Sequence, residues 1–136
     1  MTSPAIGLAR LRAAAASGEL DQLCIRHRVR VLTVFGSAAR GEQAARDLDV
    51  GVLFEPGTRV DYPSIIGDLQ ELTGADVDLV RLDGAAALIR ERALVGSVAL
   101  HESEVGAWSR AATAAALERM DTAWMRRSSL ELLARR

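Results

Sequence analysis

Lysine is absent from this chain of 136 residues, and all seventeen basic side chains are arginine. Alongside the many alanines this reads as compositional bias, although arginine also pairs bidentately with phosphate and carboxylate. No excess of positive charge exists either, because the formal net charge is −1. That balance argues against nucleic-acid binding through bulk electrostatics. A second cysteine is missing, so Cys24 can form no internal disulfide and reads as a small core residue. No apolar run approaches the ~18 residues of a membrane span, and the N-terminus has no signal-peptide pattern. The cytoplasm is therefore the expected location, and the length suits one domain, 1–136.

The apolar residues that are present fall into alternating helical and strand patterns. Residues 5–16 and 19–27 have helical spacing, separated by Ser17-Gly18. Val31 to Phe35 is a short continuous apolar run, as expected of a strand covered on both faces. A turn and short exposed helix are expected over 36–46, a second strand over 48–54, and a turn at Glu55-Pro56-Gly57-Thr58. Asp61-Tyr62-Pro63 opens a helix that Thr73-Gly74 closes. A third strand follows at 77–82, a helix at 84–95 with Arg90, Glu91 and Arg92 outward, and an edge strand at 97–101. From Ser103 a final helix carries Val105, Trp108, Ala112, Ala116, Met120 and Trp124 as one apolar stripe. The fold class is α/β (α+β): a small mixed sheet with flanking helices over about 20–102, then a C-terminal helix over about 103–134. His27, among three arginines, and His101 both read as surface residues.

Chemistry concentrates where the first strand ends and the second begins. Side chains two apart on a strand share a face, so Asp47 and Asp49 project together while Leu48, Val50, Val52 and Phe54 face the other way. Like charges so close call for a cation between them, and Mg²⁺ is the hard ion that shares its shell with phosphates. Asp78 in the third strand would join them if the second and third strands are neighbours. The three carboxylates could then place two metal ions against a nucleoside triphosphate at Gly36-Ser37. Gly36 would admit the phosphates without a Cβ in the way, and the Ser37 hydroxyl and N–H would bind a phosphate oxygen. Gly51, next on the carboxylate face, would keep that side open. Arg40 has two readings, a triphosphate contact or a surface ion pair with Glu42 or a nearby Asp. Asp76 ranks behind Asp78, at the strand's beginning.

Each part alone is a weak signal, but the ordered set is specific. Gly36-Ser37-Ala38-Ala39-Arg40-Gly41-Glu42, Asp47-Leu48-Asp49 and Val77-Asp78-Leu79-Val80 resemble the DNA polymerase β-like nucleotidyltransferase superfamily, and within it the minimal nucleotidyltransferases. These small proteins are commonly antitoxins beside HEPN-domain ribonuclease toxins. Arg46 departs from the pattern, since many relatives have Ser before the first carboxylate.

The resemblance implies that Asp47 and Asp49 hold two Mg²⁺ ions, that Asp78 completes the catalytic-metal site and serves the attacking hydroxyl as base, and that ATP is the substrate. It implies AMP transfer to a tyrosine hydroxyl of a partner HEPN toxin, with which the chain could form an oligomer. Direct nucleic-acid binding is not expected. Two alternatives stay open: an antitoxin that neutralises by binding alone, and an adenylyltransferase acting on a small molecule such as an aminoglycoside. The apolar stripe of the last helix serves either a partner or the chain's own domain.

Overall fold

The computed structural model describes residues 2–42 and 45–134; Gln43 and Ala44, within the expected 36–46 turn, lie outside them. Ten elements follow in order: α1 (Pro4–Ser17), α2 (Glu19–Arg26), β1 (Val29–Phe35), α3 (Gly36–Ala39), β2 (Leu48–Phe54), α4 (Tyr62–Thr73), β3 (Val77–Arg81), α5 (Ala87–Leu94), β4 (Val98–Glu102) and α6 (Ala107–Ala134). The strands form one mixed sheet in the order β3-β2-β1-β4. β1 runs antiparallel to both β2 and β4, whereas β2 and β3 are parallel. A parallel pair needs a long crossover, which α4 supplies.

The two central strands are buried on both faces, which explains their nearly unbroken apolar sequences. Leu48, Val50, Val52 and Phe54 pack with Leu11, Leu20, Ile65 and Leu69 beneath α1, α2 and α4. On the opposite face Val31 and Leu53 pack with Leu82, Ala93, Leu94, Ala107 and Ala115, beneath α5 and α6. Caps fix the helix ends. The Ser3 hydroxyl accepts from the Ile6 N–H at 3.3 Å, and Asp61 accepts from the Ser64 N–H at 3.2 Å.

Both histidines depart from the surface reading. The His27 imidazole is largely buried, and its Nε2 lies 2.6 Å from Asp68 Oδ2, joining α2 to α4. That hydrogen bond, helped by the Arg26 charge, holds the Asp68 carboxyl below the usual carboxylate range. His101 is 7% exposed, with Nδ1 2.7 Å from Asp21 Oδ1, so it joins β4 to α2. Cys24 is buried as expected, and burial pushes its thiol up.

At the α2–β1 corner Arg28 adopts φ +57°, the only non-glycine in the left-handed region among the described residues. A side chain costs about 1 kcal/mol or more there, and glycine does not incur that cost. Arg28→Gly is therefore expected to stabilise the fold by roughly 0.5–1 kcal/mol, measured as a higher urea midpoint at unchanged slope. A lower midpoint would show that the Arg28 side chain contributes more than its backbone strain costs.

The last helix also differs from its expected start. Gly106 has φ +92°, incompatible with a right-handed helix, so α6 begins at Ala107 and Val105 lies outside it, 94% exposed. The first half of α6 packs on the domain through Trp108, Ala111, Ala112 and Ala115. Arg90 reaches Glu118 at 2.8 Å, farther along the same helix. Beyond it Met120, Trp124, Met125, Leu130 and Leu133 are exposed. The own-domain reading thus holds for the first half of the helix, and the second half is bare. Among the described residues no helix is long and apolar enough to cross a membrane.

Candidate active site

The register of the sheet brings the acidic residues together. Antiparallel pairing sets Phe35, the last residue of β1, opposite Asp49 in β2. Parallel pairing sets Asp49 opposite Asp78 in β3. Both carboxylates lie on the face covered by α5 and α6, because Leu48 and Val50 beside Asp49, and Val77 and Leu79 beside Asp78, belong to the other core layer. Asp47 stands one bend before β2, exposed, with Arg46 exposed beside it. The exposed Asp76 contributes main chain, its carbonyl accepting from the Leu48 N–H at 2.9 Å and starting the β2–β3 ladder.

Asp49 is half-buried, and its carboxyl is raised above the ordinary value. Burial is the largest cause, followed by the charges of Asp78 and Asp47 and a hydrogen bond with Asp78, against a weaker opposing pull from Arg40. The group is therefore short of positive charge. Relief by a hard cation with oxygen ligands fits this donor set. Among the described residues no group of three His, Cys, Asp or Glu side chains already encloses a metal position. Such an ion commonly keeps several waters and completes its shell with substrate phosphates, so an open set of carboxylates remains chemically suitable.

Gly36 opens α3 with φ +74°, and a Cβ built on it would collide with the Asp49 carboxylate. Both the backbone conformation and the space demand glycine at this position. Ser37 follows, and the short turn closes as the Arg40 N–H donates to the Gly36 carbonyl at 3.2 Å. Arg40 Nε donates to Glu42 Oε1 at 2.9 Å, the ion pair of one reading, while Arg40 also lines the cavity beside Asp49. That cavity is about 680 Å³ in volume and is lined by Phe35, Gly36, Ser37, Arg40 and Asp49, together with Arg92 and Gly96 from α5 and the turn after it.

The α5 wall was not legible in the sequence. Arg92 falls at an outward position on the helical wheel, and it is the seating of α5 that turns it toward the site. Gly51 explains that seating and corrects the expectation that it keeps the carboxylate side open. A Cβ on Gly51 would lie 2.9 Å from Thr33 Oγ1 and 3.2 Å from the Ala93 and Leu82 side chains. The space is filled by α5, and glycine is what lets the helix settle there. Thr33 Oγ1 then donates to the Ala93 carbonyl at 2.6 Å in a fully buried hydrogen bond. Two small residues on one sheet face, Thr33 and Gly51, were the available signal of a close helix.

Thr33→Val should cost about 1–3 kcal/mol, because it leaves the Ala93 carbonyl buried without a partner. Urea denaturation measures the loss, and an unchanged midpoint would remove Thr33 as the anchor of α5.

Residues 19–104 match the family model for the polymerase beta nucleotidyltransferase domain. The chain belongs to the polymerase beta nucleotidyltransferase family. A solved nucleotidyltransferase, described as a candidate minimal one, is 36% identical, with 71% of this chain and 95% of that chain covered and a TM-score of 0.55. A chain from a toxin–antitoxin crystal structure with AMP-PNP is 18% identical, covering 85% of this nucleotidyltransferase and 96% of its own length, with a TM-score of 0.66. Another comes from a complex of tri-AMPylated Shewanella oneidensis HEPN toxin with MNT antitoxin: 15% identity, 90% and 98% coverage, TM-score 0.63. At these low identities the last two show a shared fold. No curated protein matches the nucleotidyltransferase.

Proposed function

We propose that this nucleotidyltransferase moves AMP from ATP onto a tyrosine hydroxyl of a partner HEPN toxin and thereby acts as its antitoxin. The observation that carries the reading is the pairing of Asp49 with Asp78 across β2 and β3, beside a Gly36 whose missing side chain leaves room for the Asp49 carboxylate. Two neighbours of the same fold come from complexes described as containing AMP-PNP and AMPylated HEPN toxin, and they give this reading its substrate and acceptor.

In this reading Asp47, Asp49 and Asp78 hold Mg²⁺, two ions in number. The ions would neutralise charge developing at the α-phosphate and on departing pyrophosphate. Gly36 and Ser37 present main-chain N–H groups and a hydroxyl to the phosphates. Arg40 adds a guanidinium at the same wall. The tyrosine oxygen attacks the α-phosphorus, the bond to the bridging oxygen of pyrophosphate breaks, and Asp78 accepts the phenolic proton. The product is the AMP–tyrosine ester, with pyrophosphate released.

Incubation of the chain with labelled ATP, Mg²⁺ and the helical protein encoded by the neighbouring reading frame should label that protein. Failure across varied metals and nucleotides would refute the transfer. If Asp47→Asn with Asp49→Asn still neutralised the partner fully, neutralisation would rest on binding alone, to which the bare half of α6 is equally suited.

A further inference from the structure

Charges of both signs line the nucleotide cavity. Asp49, whose carboxyl feels the charges of Asp78 and Asp47, lines it together with two guanidinium groups, those of Arg40 and Arg92. Arg40 pulls against the raised Asp49 carboxyl, and Arg92 lines the same cavity from α5. Arg40 is partly engaged by Glu42. Among the described residues Arg92 has no ion-pair partner, although it is exposed on a chain with nearly as many basic as acidic side chains.

Its main chain is nevertheless fixed. The next residue, Ala93, is fully buried against Gly51 and accepts the Thr33 hydrogen bond. Gly96, which also lines the cavity, adds no bulk, and a Cβ there would meet only the Arg92 carbonyl, at 3.6 Å. An unpaired guanidinium therefore stands on an anchored helix turn, with open space before it.

We propose that Arg92 binds the terminal phosphates of the nucleotide and holds the pyrophosphate that leaves. This assignment rests on the nucleotidyl-transfer reading of the site. The α-phosphate must lie next to the carboxylates where attack occurs, which leaves the charge of the terminal phosphates to be met by the cationic groups of the same cavity, and Arg92 is the one without an ion-pair partner among the described residues. A guanidinium fork matches phosphate oxygens in charge and geometry, whereas the nucleoside end is uncharged. Arg40 and Arg92 would thus grip the polyphosphate from α3 and α5, on two sides of one cavity.

Equilibrium binding of ATP, pyrophosphate and AMP to the full chain, in Mg²⁺ and without any partner protein, tests the assignment. Arg92→Ala should weaken ATP and pyrophosphate by about ten-fold or more and leave AMP unchanged. Arg92→Lys should recover part of the loss by restoring the charge without the fork. Because the side chain is exposed, circular dichroism and melting temperature should not change. Equal ATP affinity in Arg92→Ala and the native chain would overturn the proposal. Equal weakening of AMP and ATP would overturn it too, by placing Arg92 at the α-phosphate or the nucleoside. If the native chain bound neither ATP nor pyrophosphate, the nucleotidyl-transfer reading itself would fall, and Arg92 with it.

Discussion

If the proposed transfer is right, Asp49→Asn is expected to lower it at least about a thousand-fold, the several kcal/mol of transition-state stabilisation that a correctly held metal would supply. The same substitution should make the metal-free chain more stable. Asp49 is half-buried, faces two other carboxylates and has its pKa raised in the fold. A raised carboxyl favours folding most fully below its unfolded pKa, and that contribution disappears as pH rises through the folded pKa. At neutral pH the ionised Asp49 is thus a liability that a neutral amide removes. Thermal melts of both proteins without divalent ions should show the Asn variant higher at pH 7. The gap should shrink as pH falls through the carboxylate range. Added Mg²⁺ should raise the melting temperature of the native chain and leave the variant nearly unmoved. Transfer within ten-fold of native in Asp49→Asn would remove this residue from the reaction centre, whatever the melts show.

The second large effect is expected at the other end of the molecule. Met120 and Trp124 stand 67% and 68% exposed on one side of α6, beyond the stretch that packs on the domain. A Trp buried in a partner commonly accounts for 2 kcal/mol or more of binding energy. If the proposed partner docks on this surface, Met120→Asp with Trp124→Asp should weaken its complex by about a hundred-fold or more, since charges replace both anchors. ATP binding and the melting temperature should stay at native levels, because neither side chain supports the core. Titration calorimetry with the partner measures the loss. Unchanged affinity would show that the grip lies elsewhere on the chain.

Much of the architecture was legible because local patterns agree with the final packing. The apolar run ending at Phe35, the Asp61 and Gly74 caps and the alternation through β2 each require only near neighbours to interpret. The pairing of Asp49 with Asp78 was legible at one remove, conditional on adjacent second and third strands, which the α4 crossover provides. Contacts between distant segments escaped. His27 and His101 look solvated among polar neighbours, yet each is buried against a carboxylate 41 or 80 residues away in sequence. Gly51 was correctly placed on the carboxylate face, but what fills the space above it comes from α5. For the same reason Arg92 was read as an outward residue of an amphipathic helix. Helical periodicity says which side of α5 is apolar, and nothing about what lies beyond its end.

The α6 helix runs for 28 residues, and Arg90–Glu118 is its last ion pair to the domain among the described residues. The turns beyond Glu118 extend roughly 24 Å at 1.5 Å per residue, with little tertiary support. A helix of that length is marginal by itself in water, so its order is conditional on what encloses it. Affinity for a partner docked there would then depend on helix propensity as well as on direct contacts. Stronger helix formers in these turns would tighten a complex by reducing the entropy lost on docking, and Gly in them would loosen it. Amide exchange along these turns serves as an internal gauge, fast in the free chain and slow in proportion to the fraction engaged.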